Sequence, residues 1–223
     1  LILADDIEAM PRLQEICEET GTPLFTTPKA CSAVIDLLHL YLAQRFADTV
    51  STHGVFMDVY GMGVLITGDS GIGKSELALE LVSRGHGLVA DDVVELARVA
   101  PTTIEGRCPS MLREYLEVRG LGLLNIRTIF GETAARRKMK LKLIVHLQKN
   151  TLASEMERLP FDSKSQEILG IPIRKVYFHV APGRNLAVLL EAAVRNCILQ
   201  LRGIDSMSEF INRQQQAVLD GNI

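Results

Sequence analysis

The chain has 223 residues, which is enough for one complete α/β domain and a smaller segment beside it. A hydrophobic fraction of 47% with 23% charged residues is typical of a globular protein and excludes the disordered and fibrous classes. The apolar runs are all shorter than the roughly 18 residues that a membrane-spanning helix needs, so we expect no membrane association. A net charge of −3 without a dense basic stripe gives no electrostatic case for nucleic-acid binding.

The four cysteines are far apart in the sequence, at Cys17, Cys31, Cys108 and Cys197. Metal sites use closely spaced ligands, and disulfide scaffolds are usually short and rich in cysteine, so neither class fits. We therefore expect reduced thiols and a cytoplasmic location.

Residues 1–48 show a β-α-β-α pattern. Apolar runs and helical spacing predict two strands and two helices in alternation, at Leu1–Ala4, Pro11–Thr20, Pro23–Phe25 and Ala33–Phe46. Ser32 is the predicted cap of the second helix. The chain starts within an apolar run and without methionine, so we expect this segment to be the carboxy-terminal part of an α/β domain that begins upstream.

From residue 49 the sequence is richer in β-forming residues. Two apolar runs, Val55–Val59 and Gly63–Thr67, flank a Gly61 turn and predict a hairpin. A glycine-rich loop follows, and apolar spacing then predicts a helix over Lys74–Arg84.

Further elements are predicted after this helix: strands at Leu88–Ala90, Leu141–Leu147 and Arg174–His179, and helices at Leu186–Leu201 and Ser206–Leu219. We expect an α/β domain over residues 49–201 and a carboxy-terminal helical segment over residues 202–223.

The glycine-rich loop comprises residues 68–75, Gly68-Asp69-Ser70-Gly71-Ile72-Gly73-Lys74-Ser75. Its spacing matches the phosphate-binding loop, with an apolar strand before it and an amphipathic helix after it. Glycines let backbone N–H groups turn towards phosphate oxygens, and the following helix adds the positive end of its dipole. Lys74 is suited to the β- and γ-phosphates, and the Ser75 hydroxyl is suited to Mg²⁺. The alternative is a glycine turn that contains Lys-Ser by chance.

Two adjacent carboxylates, Asp91 and Asp92, follow the next predicted strand. A phosphoryl-transfer site needs an acidic group near the metal and a base for an alcohol nucleophile. The alternative is that Asp-Asp only opens a turn.

Three ordered segments resemble bacterial HPr kinase/phosphorylase: His53–Asp92, Glu117–Ile126 (EVRGLGLLNI) and Pro182–Ala187 (PGRNLA). The resemblance extends from about His53 to Leu201 and more faintly through the first 48 residues. The phosphate-binding loop alone occurs in many families, whereas the three motifs together at these separations do not.

The resemblance implies an enzyme that uses ATP and Mg²⁺ to phosphorylate a serine of HPr, the carrier protein of the sugar phosphotransferase system. It also implies removal of that phosphate by phosphorolysis, with inorganic phosphate as acceptor and pyrophosphate as product. The family's kinase fold resembles that of phosphoenolpyruvate carboxykinase, and its members are commonly homo-hexamers.

The resemblance also implies roles for individual residues. Lys74 matches the phosphate-binding lysine, Ser75 and Glu117 match magnesium ligands, and Asp92 matches the carboxylate that exchanges the serine proton.

His53 and Arg158 match two further active-site residues. The segment Pro182-Gly183-Arg184 matches the stretch tied to phosphorolysis. Without the family, His53 would pass as a strand-edge histidine, and Glu117 and Arg158 would pass as surface charges.

The sequence departs from the family pattern at two places. Glu132-Thr133 stands where many members carry small residues, and Ala181 stands where an arginine is frequent. Both departures bear on control of the phosphorylase direction. Two other hypotheses stay open: a P-loop enzyme with a small-molecule substrate, as in carboxykinases, and a nucleotide-dependent regulator without catalysis. A GTPase is disfavoured because no Asn-Lys-x-Asp segment follows the loop.

Overall fold

The structure is a computed structural model, and it describes residues 1–149, 164–205, 209–211, 213–214 and 216. The chain divides into two compact units, Leu1–Ala47 and Asp48–Ile223. Across the described residues, none of the helices is both long and apolar enough to cross a membrane.

The first unit has the predicted alternation of strands and helices: β1 (Ile2–Leu3), α1 (Pro11–Thr20), β2 (Phe25–Thr26) and α2 (Cys31–Arg45). The strands β1 and β2 pair in parallel. Helix α1 has the predicted bounds, because Pro11 is favoured in the first turn and Gly21 takes the left-handed conformation that ends a helix.

The prediction of Ser32 as a helix cap is wrong. Helix α2 begins at Cys31 with Ala30 at the capping position, so Ser32 lies inside the first turn. The apolar spacing gave the helix but not its start, since no side-chain cap forms there.

The second unit is built mainly of strands, in chain order β3 (Thr49–His53), β4 (Val55–Val59), β5 (Met62–Gly68), β6 (Gly87–Ala90), β7 (Val93–Ala100), β8 (Thr103–Arg107), β9 (Tyr115–Val118), β10 (Gly122–Asn125), β11 (Lys138–Lys149), β12 (Lys164–Ile168) and β13 (Ile171–Val180). Its described α-helices are α3 (Lys74–Ser83), α4 (Ile126–Phe130) and α5 (Leu186–Leu201). The predicted hairpin is confirmed as the antiparallel pair β4–β5, and the predicted bounds of α5 are confirmed.

Strand β11 is shared by two sheet segments. Its first residues pair with β8, which continues to β7 and β3, and all of these pairs are antiparallel. The rest of β11 lies in parallel between β5 and β13. Strand β4 separates β5 from β6 and is antiparallel to both, so β5 and β6 run in the same direction.

Both faces of the central strands are buried, which explains their continuous apolar sequence. On β4, Val55 and Met57 belong to a core that includes α3 and α5, for example through Leu81 and Leu190. Phe56 points to the opposite face, into a second core that includes β7 and β8. The helices and the antiparallel segment therefore cover the two faces of one central layer.

The helix predicted at Ser206–Leu219 falls largely outside the described residues. The structure describes a mixed α/β fold, in which the parallel neighbours β5, β11 and β13 end at one edge.

Candidate functional site

The glycine-rich loop connects β5 to α3, at the edge where the parallel strands end. Gly68 has φ of +143°, and a Cβ atom there would lie 2.5 Å from the carbonyl oxygen of Leu147. Gly73 has φ of +104° and directly precedes α3. Glycine is required at Gly68 for space and at Gly73 for conformation, and together they bring the loop to the amino end of a helix, where anions are favoured.

Lys74 begins α3 and folds its side chain back over the loop. Its Nζ donates to the carbonyl oxygens of Gly68 and Asp69, both at 2.9 Å. The ammonium group is therefore held at the loop itself.

Asp91 and Asp92 follow β6, which runs in the same direction as β5. The two carboxylates therefore lie at the same edge as the glycine-rich loop. An open cleft joins them, lined by Ser70, Gly71, Gly73, Lys74, Ser75, Glu76, Asp91, Asp92, Glu117 and Arg119. The cleft thus joins the glycine-rich loop to Asp92 and Glu117, which are distant from it in the sequence.

Asp91 supports the position of Glu117. Its Oδ2 accepts a hydrogen bond from the backbone N–H of Glu117 at 2.9 Å, which ties β9 to the end of β6. Burial is the main cause that raises the pKa of Asp91 above its ordinary value, and the charges of Asp92 and Glu117 act in the same direction. With Glu76, these residues bring four carboxylates to one cleft, and their negative charge favours a cation there.

Asp92 has a left-handed backbone, with φ of +63°, and its carbonyl oxygen accepts the Gly54 N–H at 3.1 Å. An aspartate in this conformation is uncommon, and such positions cluster at functional sites. Its Oδ1 lies 3.6 Å from Nδ1 of His53, and both side chains are exposed. The structure therefore places His53 beside Asp92.

Arg119 was not assigned a role from the sequence. It lies in the turn of the β9–β10 hairpin, and its terminal nitrogens lie 3.1 Å from the position that a Cβ on Gly71 would occupy. The guanidinium group therefore lies beside the glycine-rich loop and lines the same cleft as the carboxylates. The available sequence signal for Arg119 was its position within the segment Glu117–Ile126. Its proximity to Gly71 could not be inferred from that segment, because the two residues are far apart in the sequence.

The segment Pro182-Gly183-Arg184 connects β13 to α5. The registers of β5, β11 and β13 align Gly68, Leu147 and Phe178, so this segment also follows the carboxyl edge of the sheet. None of its three residues lines the cleft as the described residues form it. Arg158 lies outside the described residues.

The cleft offers oxygen ligands, the type that Mg²⁺ prefers. Ser75 and Glu117 both line it, and Asp92 adds a carboxylate. In the described part of the chain, no three His, Cys, Asp or Glu side chains are grouped closely enough to hold a metal alone. This fits an ion that shares its coordination with nucleotide phosphates and water.

Comparison with known proteins identifies the class of protein. A family model described as HPr Serine kinase C-terminal domain matches residues 44–214, so the chain belongs with the serine kinases of this type. A protein from Bordetella avium named HPr kinase/phosphorylase is 60% identical over 222 residues, covering 100% of this chain and 72% of that protein. Another of the same name, from Aromatoleum aromaticum, is also 60% identical, covering 99% of this chain and 71% of the relative.

A solved structure agrees with these sequence relatives. The Hpr(Ser) kinase/phosphatase from Coxiella burnetii superimposes with a TM-score of 0.62 at 38% identity, covering 72% of this chain and 98% of the other. The chain is a member of the HPr kinase/phosphorylase family.

Proposed function

We propose that this protein transfers the γ-phosphoryl group of ATP to a serine of HPr and removes it again by phosphorolysis. The observation that carries the proposal is the shared cleft: Lys74 and Ser75 of the glycine-rich loop lie together with Asp92 and Glu117. A nucleotide-binding module alone would have no use for a base beside the phosphates.

In the forward direction, Asp92 is the general base. The serine Oγ attacks the γ-phosphorus, its proton passes to the Asp92 carboxylate, and the bond to the β–γ bridging oxygen breaks to release ADP. A serine hydroxyl is a weak nucleophile at neutral pH, so a carboxylate beside the attacking oxygen is needed. His53, 3.6 Å from Asp92, is placed to orient that carboxylate or receive the proton from it.

In the reverse direction, an oxygen of inorganic phosphate attacks the phosphorus of phosphoserine. The bond to the serine Oγ breaks, protonated Asp92 returns its proton to that oxygen, and pyrophosphate leaves. The same residue can serve both directions because each transition state places the serine oxygen, whose proton is exchanged, in line with the transferring phosphorus. Pro182, Gly183 and Arg184 are proposed to act in this direction.

Lys74 is the proposed partner of the β- and γ-phosphates, and the backbone of residues 68–73 cradles them. Charge spreads over the phosphoryl oxygens during transfer, so cations held in fixed positions lower the barrier. We assign Ser75 and Glu117 to Mg²⁺, which would neutralise phosphate charge when bound. Arg158 is assigned to the same transferring group.

We further propose a homo-hexamer in the cytoplasm, a kinase domain over residues 49–201 whose fold resembles phosphoenolpyruvate carboxykinase, and a packing role for residues 202–223. The hexamer and the carboxykinase-like fold rest on the family resemblance. The packing role rests on the position of residues 202–223 outside the chemical motifs, and contact with the protein partner is the alternative role for that segment.

The test is a transfer assay with purified HPr. The protein is incubated with radiolabelled ATP, Mg²⁺ and HPr, and label on the HPr serine is followed; inorganic phosphate is then added and pyrophosphate is measured. Absence of label on HPr would refute the kinase assignment, and absence of pyrophosphate would refute the phosphorylase assignment.

Asp92→Asn is the matching variant. It should bind a fluorescent ATP analogue as the wild type does, yet lose both transfer directions by about 10²-fold or more. Normal transfer by this variant would show that Asp92 is not the base.

A further inference from the structure

The β9–β10 hairpin has one buried face and one open face. Leu116 and Val118 of β9 are buried in the core beside α3. Tyr115 and Glu117 alternate with them and are exposed. Strand register pairs Leu123 with Glu117, and cross-strand partners point to the same side of a sheet. Leu123 and Tyr115 therefore flank the Glu117 side chain on the open face.

The open face carries apolar side chains although it is exposed to water. Leu123 is 65% exposed, and Leu121, at the hairpin turn, is 64% exposed. Tyr115 is also exposed. A cluster of exposed apolar side chains beside a polar cleft is typical of an interaction surface.

The hairpin turn is fixed against the catalytic cleft. Arg119 lies over Gly71 of the glycine-rich loop, and Leu121 follows it by two residues. Glu117 lines the cleft itself. The apolar side chains thus lie on the same hairpin as Glu117, which lines the cleft together with Asp92.

We propose that Tyr115, Leu121 and Leu123 form the docking surface for the protein substrate (the hairpin surface). The partner it fits is a folded protein with apolar side chains next to its target serine. A small hydroxylated substrate would fill the cleft and leave these side chains in water, whereas a protein surface covers them while the serine enters. The inference rests on the proposed function and identifies where its substrate binds.

The test compares Leu121→Ser and Leu123→Ser, singly and together, with the wild type. Losing one buried leucine contact should raise the KM for HPr about tenfold, and the double variant should raise it further. The kcat at saturating HPr and the affinity for a fluorescent ATP analogue should change by less than about threefold, because neither leucine lines the cleft as the described residues form it. Leu40→Ser, at a position 61% exposed in α2, is the matched control and should leave the KM unchanged.

Each outcome bears on the proposal. A wild-type protein that transfers no label to HPr would overturn the proposed function and the docking surface with it. Normal transfer by the wild type with an unchanged KM in the double variant would overturn the docking surface alone. A change in oligomer mass on a sizing column, again with an unchanged KM, would reassign the hairpin surface to contacts between subunits. Thermal melting and ATP binding identify any variant that is misfolded. If one single variant is misfolded, the KM of the other single variant tests the proposal.

Discussion

The carboxylate of Asp91 accepts the backbone N–H of Glu117 at 2.9 Å, across 26 residues of sequence. This bond joins the end of β6 to β9, so it sets the distance between the proposed base and the proposed metal ligand. The residue next to the proposed base therefore has a positioning role of its own.

The contact predicts different behaviour for two substitutions of Asp91. Asp91→Asn keeps an oxygen that can accept the bond, whereas Asp91→Ala removes it. We expect Asp91→Ala to lose about tenfold more HPr phosphorylation than Asp91→Asn, because Glu117 loses its anchor. The apparent affinity for Mg²⁺, measured by titrating the transfer rate, should fall in the same order. Equal activity in the two variants would show that the hydrogen bond does not matter.

The raised pKa of Asp91 predicts how these variants affect stability. The folded protein binds the Asp91 proton more tightly than the unfolded chain does, so ionisation of this buried group lowers stability as pH rises through its pKa. Asp91→Asn cannot ionise, so it avoids this loss of stability. Its melting temperature at pH 7 should equal or exceed that of the wild type, and the difference should shrink at lower pH. A clear loss of melting temperature at pH 7 would contradict this account.

Two glycines with left-handed backbones should respond differently to alanine. Gly61, in the β4–β5 turn, has φ of +80° and open space around its Cβ position, so Gly61→Ala should cost only about 1–2 kcal/mol of backbone strain. Gly68→Ala would also place a methyl group 2.5 Å from the Leu147 carbonyl oxygen. We expect Gly68→Ala to abolish binding of a fluorescent ATP analogue, whereas Gly61→Ala should bind it normally. Normal nucleotide binding by Gly68→Ala would show that the loop tolerates displacement.

The position of Arg119 over the glycine-rich loop predicts a contribution to phosphoryl transfer. Arg119→Met removes a positive charge near the phosphates and should lower kcat about 10- to 10³-fold. Arg119→Lys retains the charge without the planar group and should recover part of the rate. A fall in HPr affinity alone, with kcat unchanged, would assign Arg119 to substrate docking instead. Initial rates over a matrix of ATP and HPr concentrations separate the two.

The sequence was informative where local pattern and local chemistry agree. Helix α5 was predicted with its observed bounds, since apolar spacing extends along its length and Asn185 caps it through the Val188 N–H. The β4–β5 hairpin was also predicted, because two apolar runs flank Gly61.

The strands β3, β7, β8, β9, β10 and β12 were not predicted. Strands β7 and β8 carry charged residues between their apolar ones, and they gain their stability from pairing with each other and from the core around Phe56. Such pairing is a tertiary property that a short window of sequence does not contain.

The same distinction between local pattern and long-range contact applies to the candidate site. The glycine-rich loop could be found from its own residues, and His53 and Glu117 only through the family resemblance. The contacts of Asp91 with Glu117 and of Arg119 with the loop depend on strands that meet far apart in sequence. They therefore required the structure.

A buried ion cluster away from the cleft links α3 to α5. Glu191 of α5 accepts two hydrogen bonds from Arg84, at 2.9 and 2.7 Å, and one of its oxygens lies 3.0 Å from Nε2 of His86. Its side chain is only 8% exposed. The hydrogen bond from Arg84 is the main cause that lowers the pKa of Glu191 to about 2.

The pH dependence of stability should reveal this cluster. Because the folded-state pKa of Glu191 lies below its unfolded value, its stabilisation is present above about pH 4.3 and is lost as pH falls towards about 2. Glu191→Gln should lower the melting temperature at pH 7 by about 10 °C, since removing one member of a buried ion pair leaves the others uncompensated. The difference between the two melting temperatures should shrink below about pH 4 and disappear only near pH 2.

An exposed ion pair provides the matched control. Glu15 pairs with Arg12 at 3.1 Å on the surface of α1, with side chains 60% and 75% exposed. Glu15→Gln should shift the melting temperature by no more than about 1–2 °C, because exposed pairs contribute little. A shift in melting temperature as small as that of this control would show that the cluster does not stabilise the packing of α3 on α5. A difference in melting temperature that persisted unchanged to pH 3 would show the same.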